Sequence, residues 1–207
     1  MKKIFYLLAM LLTLNSCSSL MGSLMTMYNV ELTQVESPEN ARKQYGETKI
    51  VTQNDEGTTK YSYTDDYIQI AWRVGTDRFY FDLKNRTSHT IKIDWDAISY
   101  IDIEGRTQRV IHTGTKYIDK NNAQAKTNLP RNASIVDILM PVDNIIYSAY
   151  IGWRVANLIP SYYDTRELQQ AHQNQYLGRK MYILFPIEIE GVTNDYIFEF
   201  NIQNVVQ

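Results

Sequence analysis

Apolar and polar residues alternate with a period of two over most of the chain from Lys49 onward. Ile68, Ile70, Trp72 and Val74 alternate with Gln69, Ala71 and Arg73, the signature of a half-buried strand. After a short turn at Gly75-Thr76-Asp77 the rhythm resumes with Phe79, Phe81 and Leu83, which predicts a hairpin. Ile91, Ile93 and Trp95 follow a polar corner over 85–89, and further strands are expected near 98–103 and 107–112, around a turn at Glu104-Gly105-Arg106. Residues 134–140 and 145–158 read as strands. The clearest pair comes last, where Met181, Ile183, Phe185, Ile187 and Ile189 face Tyr196, Phe198, Phe200 and Ile202 across a turn at Gly191.

Two segments carry helical signals instead. Ser37-Pro38-Glu39 supplies an N-cap and a first-turn proline, with Gly46 as the stop. Asp164-Thr165-Arg166-Glu167 resembles a capping box for a helix running to about Tyr176, with Gly178 past its end. Residues 119–132 are mostly Asn, Lys, Gln and Ala, and a mobile polar loop is expected there. Eight or so short strands, with helices only as inserts, predict an all-β fold: an antiparallel immunoglobulin-like β-sandwich over 36–207 with one or two short helical inserts.

The amino-terminal stretch follows different rules. Lys2 and Lys3 precede eleven mainly apolar residues, Ile4 to Leu14, too few for a permanent bilayer span and the right number for a signal-peptide core. Leu14-Asn15-Ser16-Cys17 then resembles the lipobox of bacterial lipoproteins. That resemblance implies removal of residues 1–16, acylation of Cys17, and a tether over 17–35. An ordinary secretory signal cut after Ser16 or Ser18 is the alternative. Ser18 at the position after the acylated cysteine is not Asp, and the resemblance then implies the outer membrane, facing the periplasm.

Composition narrows the function classes. The single cysteine excludes an internal disulfide. A net charge of −2 without a basic run argues against a nucleic-acid surface. No nucleophile elbow, zinc-protease helix or phosphate-binding glycine loop occurs. His89, His112 and His172 share no metal-ligand spacing, and Glu188 and Glu190 read as a solvated strand face rather than a carboxylate pair for catalysis. Asp94, Asp96, Asp102 and Glu104 could gather hard oxygens, but their spacing is not that of a calcium loop. Neither cofactor nor metal is expected. Sixteen tyrosines stand out, with Tyr61, Tyr63 and Tyr67 in one cluster and Tyr147, Tyr150, Tyr162 and Tyr163 in another. Exposed rings would suit sugar or protein contacts, whereas buried ones would simply pack between strands.

The stretches Asn29–Val35, Gln44–Glu47, Ile91–Asp96 and Arg109–Tyr117 resemble a set of uncharacterised Bacteroidota lipoproteins, and the run from Phe79 to Trp95 resembles the immunoglobulin-like sandwiches of small accessory lipoproteins. Both resemblances imply a framework and no catalytic residues. The expectation is a lipid-anchored cell-envelope protein, not an enzyme, that binds membrane lipid through acylated Cys17 and an envelope protein through Arg109, His112, Lys116 and Tyr117. A glycan-binding surface lipoprotein using Tyr61, Tyr63, Tyr162 and Tyr163 is the rival.

Overall fold

Residues 28–36, 49–55, 58–161 and 166–203 are described by the computed structural model. Cys17, the helix expected after Ser37, and both Tyr162 and Tyr163 lie outside them. Fourteen strands are present among the described residues: β1 Asn29–Glu36, β2 Lys49–Asp55, β3 Thr58–Thr64, β4 Ile68–Val74, β5 Phe79–Asn85, β6 Ile91–Ile93, β7 Ser99–Ile101, β8 Thr107–Ile111, β9 Thr127–Leu129, β10 Ser134–Pro141, β11 Ile145–Ser148, β12 Gly152–Val155, β13 Lys180–Ile189 and β14 Val192–Gln203. One helix, α1, covers Arg166–Tyr176.

Every ladder is antiparallel, and twelve strands join one sheet in the order β1-β14-β13-β7-β8-β10-β5-β4-β3-β2, with β6 bridging β13 and β9. At its two ends β1 comes within 8 Å of β2 and β3, so the sheet nearly closes on itself. The antiparallel all-β architecture matches the alternation. Its pairing runs unbroken through β7-β8-β10-β5, so the two layers expected of a sandwich are joined along one side.

The inward rows are those the alternation marks. Ile68, Ile70 and Trp72 of β4, Phe79, Phe81 and Leu83 of β5, and the alternate positions of β13 and β14 are all buried. Trp72 stands at the centre, with ring centroids of Phe198 at 5.1 Å, Phe81 at 5.4 Å, Phe200 at 5.7 Å and Phe185 at 6.2 Å. Strands β4 and β5 thus pack face to face on β13 and β14. The β13–β14 turn places Glu190 and Gly191 at φ 50° and 79°, a two-residue turn whose twist matches that of its strands.

Three expectations change. Residues 29–35, assigned to the tether, belong to β1, because Leu32 is buried and the strand pairs with β14 from Asn29↔Gln203 to Glu36↔Ile197. The polar segment after Asp119 is not a free loop: Thr127–Leu129 forms β9 against β6. The strand expected over 145–158 is a hairpin, β11–β12, whose three-residue connection over 149–151 leads into Gly152 at φ 80°.

Candidate functional site

Strand β13 has two partners on one edge: β7 along Tyr182–Leu184 and β6 along Ile187–Ile189. Between them the chain leaves the sheet over 94–98, and Trp95 fills the opening, 1% exposed. Its indole Nε1 donates to Thr127 Oγ1 at 2.9 Å. His112, just past the end of β8, lies flat on that indole, with centroids 3.9 Å apart and planes 3° from parallel.

The other side of the imidazole is fixed by Asp137 of β10, 3.1 Å from Nδ1. An ionised carboxylate only accepts, so Nδ1 carries the proton. Asp137 also accepts from the backbone N–H groups of Thr113 at 2.8 Å and Ile138 at 2.7 Å. Burial alone pushes the Asp137 carboxyl up, but these three donors outweigh it and hold the group below the usual carboxylate range. An oriented aspartate–histidine pair is a general-base geometry. In the fold the pair joins the end of β8 to β10.

Arg109 sits beside it and faces outward. Its Nη2 donates to Asp96 Oδ1 at 2.7 Å and to the Asn122 carbonyl at 3.2 Å, and Nη1 donates to the Asn121 carbonyl at 3.1 Å. Gln124 completes the clamp: its Nε2 donates to the Val110 carbonyl at 2.9 Å, while its Oε1 accepts from Thr115 Oγ1 at 3.1 Å. The segment expected to be mobile is therefore held by the Arg109 and Gln124 side chains and by the His112 backbone N–H, which donates to Gln124 Oε1 at 3.3 Å. Arg109 and His112 are occupied within the fold.

Lys116 is exposed, and Tyr117 opens a short 3-10 turn over Tyr117–Asp119. The Tyr117 ring packs on Trp153 of β12 at 6.1 Å, and Tyr147 of β11 packs on the same indole at 5.2 Å. Lys120 closes the base of that hairpin by donating to the carbonyls of Val142 at 2.9 Å and Ile145 at 2.6 Å. Strands β11 and β12 pair with each other and form a separate two-stranded sheet. Their outer side chains are open to solvent: Tyr150 is 99% exposed, Ile151 72% and Tyr147 62%.

The remaining sequence candidates have structural partners. Asp94 pairs with Lys126, Asp96 with Arg109, Asp102 with Arg106 and Glu104 with Arg179, and no cluster suited to a metal ion occurs among the described residues. Glu188 meets Lys92 at 2.7 Å, and Glu190 meets His89 at 3.1 Å from the turn. Tyr61 and Tyr63, candidate exposed rings, are instead 4% and 1% exposed. Burial, with a smaller push from the Glu31 carboxylate, raises the Tyr61 phenol to about 12. Tyr63 and Tyr196 both donate to Asp65, at 3.2 and 2.9 Å.

Two features lay outside the sequence reading. Asp137 interrupts an inward row between Ile135 and Leu139, and a charged residue on such a row signals a buried partner. The hairpin tip was hidden in a segment that reads as one apolar strand. Neither protein-family models, curated proteins nor solved structures show a match to this chain.

Proposed function

We propose that this protein is a lipid-anchored component of the bacterial cell envelope that works as a non-catalytic interaction module, held to membrane lipid through acylated Cys17. The supporting observation is how its polar groups are used. Arg109 and Asp96 hold the segment after Asp119 and His112 and Asp137 join the end of β8 to β10, whereas Tyr147, Tyr150, Ile151 and Trp153 project from a separate hairpin. Closed polar networks with an open aromatic surface suit contact with another molecule. An envelope protein is the partner proposed for the exposed side at Lys116 and Tyr117. The likeness to immunoglobulin-like accessory lipoproteins belongs to the same proposal, supported by the facing of β4 and β5 on β13 and β14.

Expression of the full chain and of Cys17→Ala in a Gram-negative host, with labelled palmitate and membrane fractionation, tests the anchor. Label and membrane retention in the parent, both lost in the variant, are the expected result. Equal retention of the two overturns it. A photo-crosslinking residue at position 117 tests the partner: a discrete protein adduct is expected there and not at the more exposed Val136.

A further inference from the structure

The segment Ile145 to Trp153 reads Ile-Ile-Tyr-Ser-Ala-Tyr-Ile-Gly-Trp, nine residues without a charge in a chain whose residues are 21% charged. Buried apolar runs are ordinary, but this one forms the outer part of a hairpin. The backbone turns tightly, with Ile151 N–H donating to the Ser148 carbonyl at 3.3 Å. This lifts Tyr150 and Ile151 to the apex, 99% and 72% exposed.

Its position relative to the tether is the second observation. Ala156 N–H donates to the Asn144 carbonyl and closes the hairpin base. The chain then runs past the β4–β5 turn, where Leu158 N–H donates to the Thr76 carbonyl, and reaches Pro160. There the Tyr28 hydroxyl donates to the Pro160 carbonyl at 2.9 Å. Tyr28 is the first described residue, so the tether joins the domain beside the segment that leaves the hairpin. Ten residues separate Cys17 from Tyr28, a reach of at most about 40 Å. An anchor of that length keeps this end of the domain close to the lipid.

We propose that the β11–β12 hairpin is a lipid-contacting tip, with Tyr150 and Ile151 entering the headgroup layer of the bilayer that holds Cys17. This rests on the anchored reading above. Tyr and Trp rings favour the interface because each has an apolar body and a polar edge, and Tyr147 and Trp153 flank the apex in that role. With no charge in the segment, contact is apolar and needs no anionic lipid.

The test uses the chain starting at Ser18, which keeps every described strand and has no acylation site. The probe is phosphatidylcholine vesicles with brominated acyl chains. Trp72 and Trp95 are buried, while Trp153 is 39% exposed, so surface quenching reports on Trp153. A blue shift and quenching of Trp153, indifferent to added salt, are expected. The exposed double variant Tyr150→Ser/Ile151→Ser, with unchanged near-ultraviolet dichroism, should lower vesicle partitioning at least about tenfold.

Absence of quenching overturns the proposal. So does equal partitioning by the variant, which would place the contact in the tether, or a protein adduct instead of a lipid adduct from a photo-crosslinker at position 150. Failure of the anchor is read separately, from palmitate on Cys17, and leaves the vesicle result standing.

Discussion

The His112 imidazole lies parallel to the Trp95 indole at 3.9 Å while its Nδ1 hydrogen-bonds to Asp137. One residue thereby covers a core tryptophan and partners a buried carboxylate. His112→Ala should uncover the one and remove one of the other's three donors. Leaving a buried carboxylate short of a donor costs about 1–3 kcal/mol, so the urea midpoint should fall with an unchanged m-value. His112→Ala at full parental stability would show that the stack carries no energy.

Acid should destabilise the fold through its depressed carboxylates. Asp102 is pushed up by burial, but the Arg106 N–H, the Arg106 side chain and the Glu104 N–H outweigh that and hold it below the usual carboxylate range. Asp137 and Asp96 are lowered as well. A carboxyl lowered in the folded state stabilises it above the unfolded-state value and loses that contribution as pH falls through the folded one. Stability from these groups should be level near neutrality and fall below about pH 4. Asp102→Asn should flatten part of that fall in urea titrations at stepped pH.

Trp72 fills the centre of the core, yet its indole Nε1 has no hydrogen-bond partner among the described residues. Trp72→Ala should cost about 3–5 kcal/mol by opening a cavity. Trp72→Phe removes the unpartnered donor along with some volume and should cost less than half of that. Thermal melts of the two variants separate cavity from polarity.

Glu190 holds φ 50° in the β13–β14 turn, a conformation unfavourable to most side chains. Asn at this position, followed by Gly191, matches the preferred two-residue turn. Glu190→Asn should stabilise the fold by roughly 0.5–1 kcal/mol. The lost contact with His89 is solvent-exposed and worth little.

The hairpin base depends on Lys120, whose ammonium serves two carbonyls. Lys120→Met should leave the global melting temperature nearly unchanged and speed chymotryptic cleavage at Tyr147 or Tyr150, as local opening becomes easier. Unchanged cleavage would show that the β11–β12 ladder holds itself.

Strands with one wet face were legible in detail, because each inward residue is separated from the next by a polar one. Phe79, Phe81 and Leu83 carry that signal, as do Tyr196, Phe198 and Phe200. Helix α1 was legible in its end at Tyr176 and in Gly178, which takes φ 75°. Short strands defeated the pattern. β9 has three residues inside a polar segment, and its antiparallel pairing with β6 depends on neighbours 34 to 38 positions away, from Ile93↔Thr127 to Ile91↔Leu129. Arg109 and His112 were marked as noteworthy, but their partners, Asp96 and Asp137, lie 13 and 25 residues distant. Residue type announced polarity there and could not announce where it pointed.

The sequence by itself determined the strand-rich class and the inward rows, since local alternation decides which face of a strand is apolar. It also set the expectation of a lipid anchor at Cys17. Only the tertiary structure decided that twelve strands share one nearly closed sheet, that Tyr61 and Tyr63 are core residues, and that Tyr150 and Ile151 stand in solvent. The reason is that burial of a ring depends on what crosses it, and strand order and turn direction are set by contacts between segments far apart in the chain.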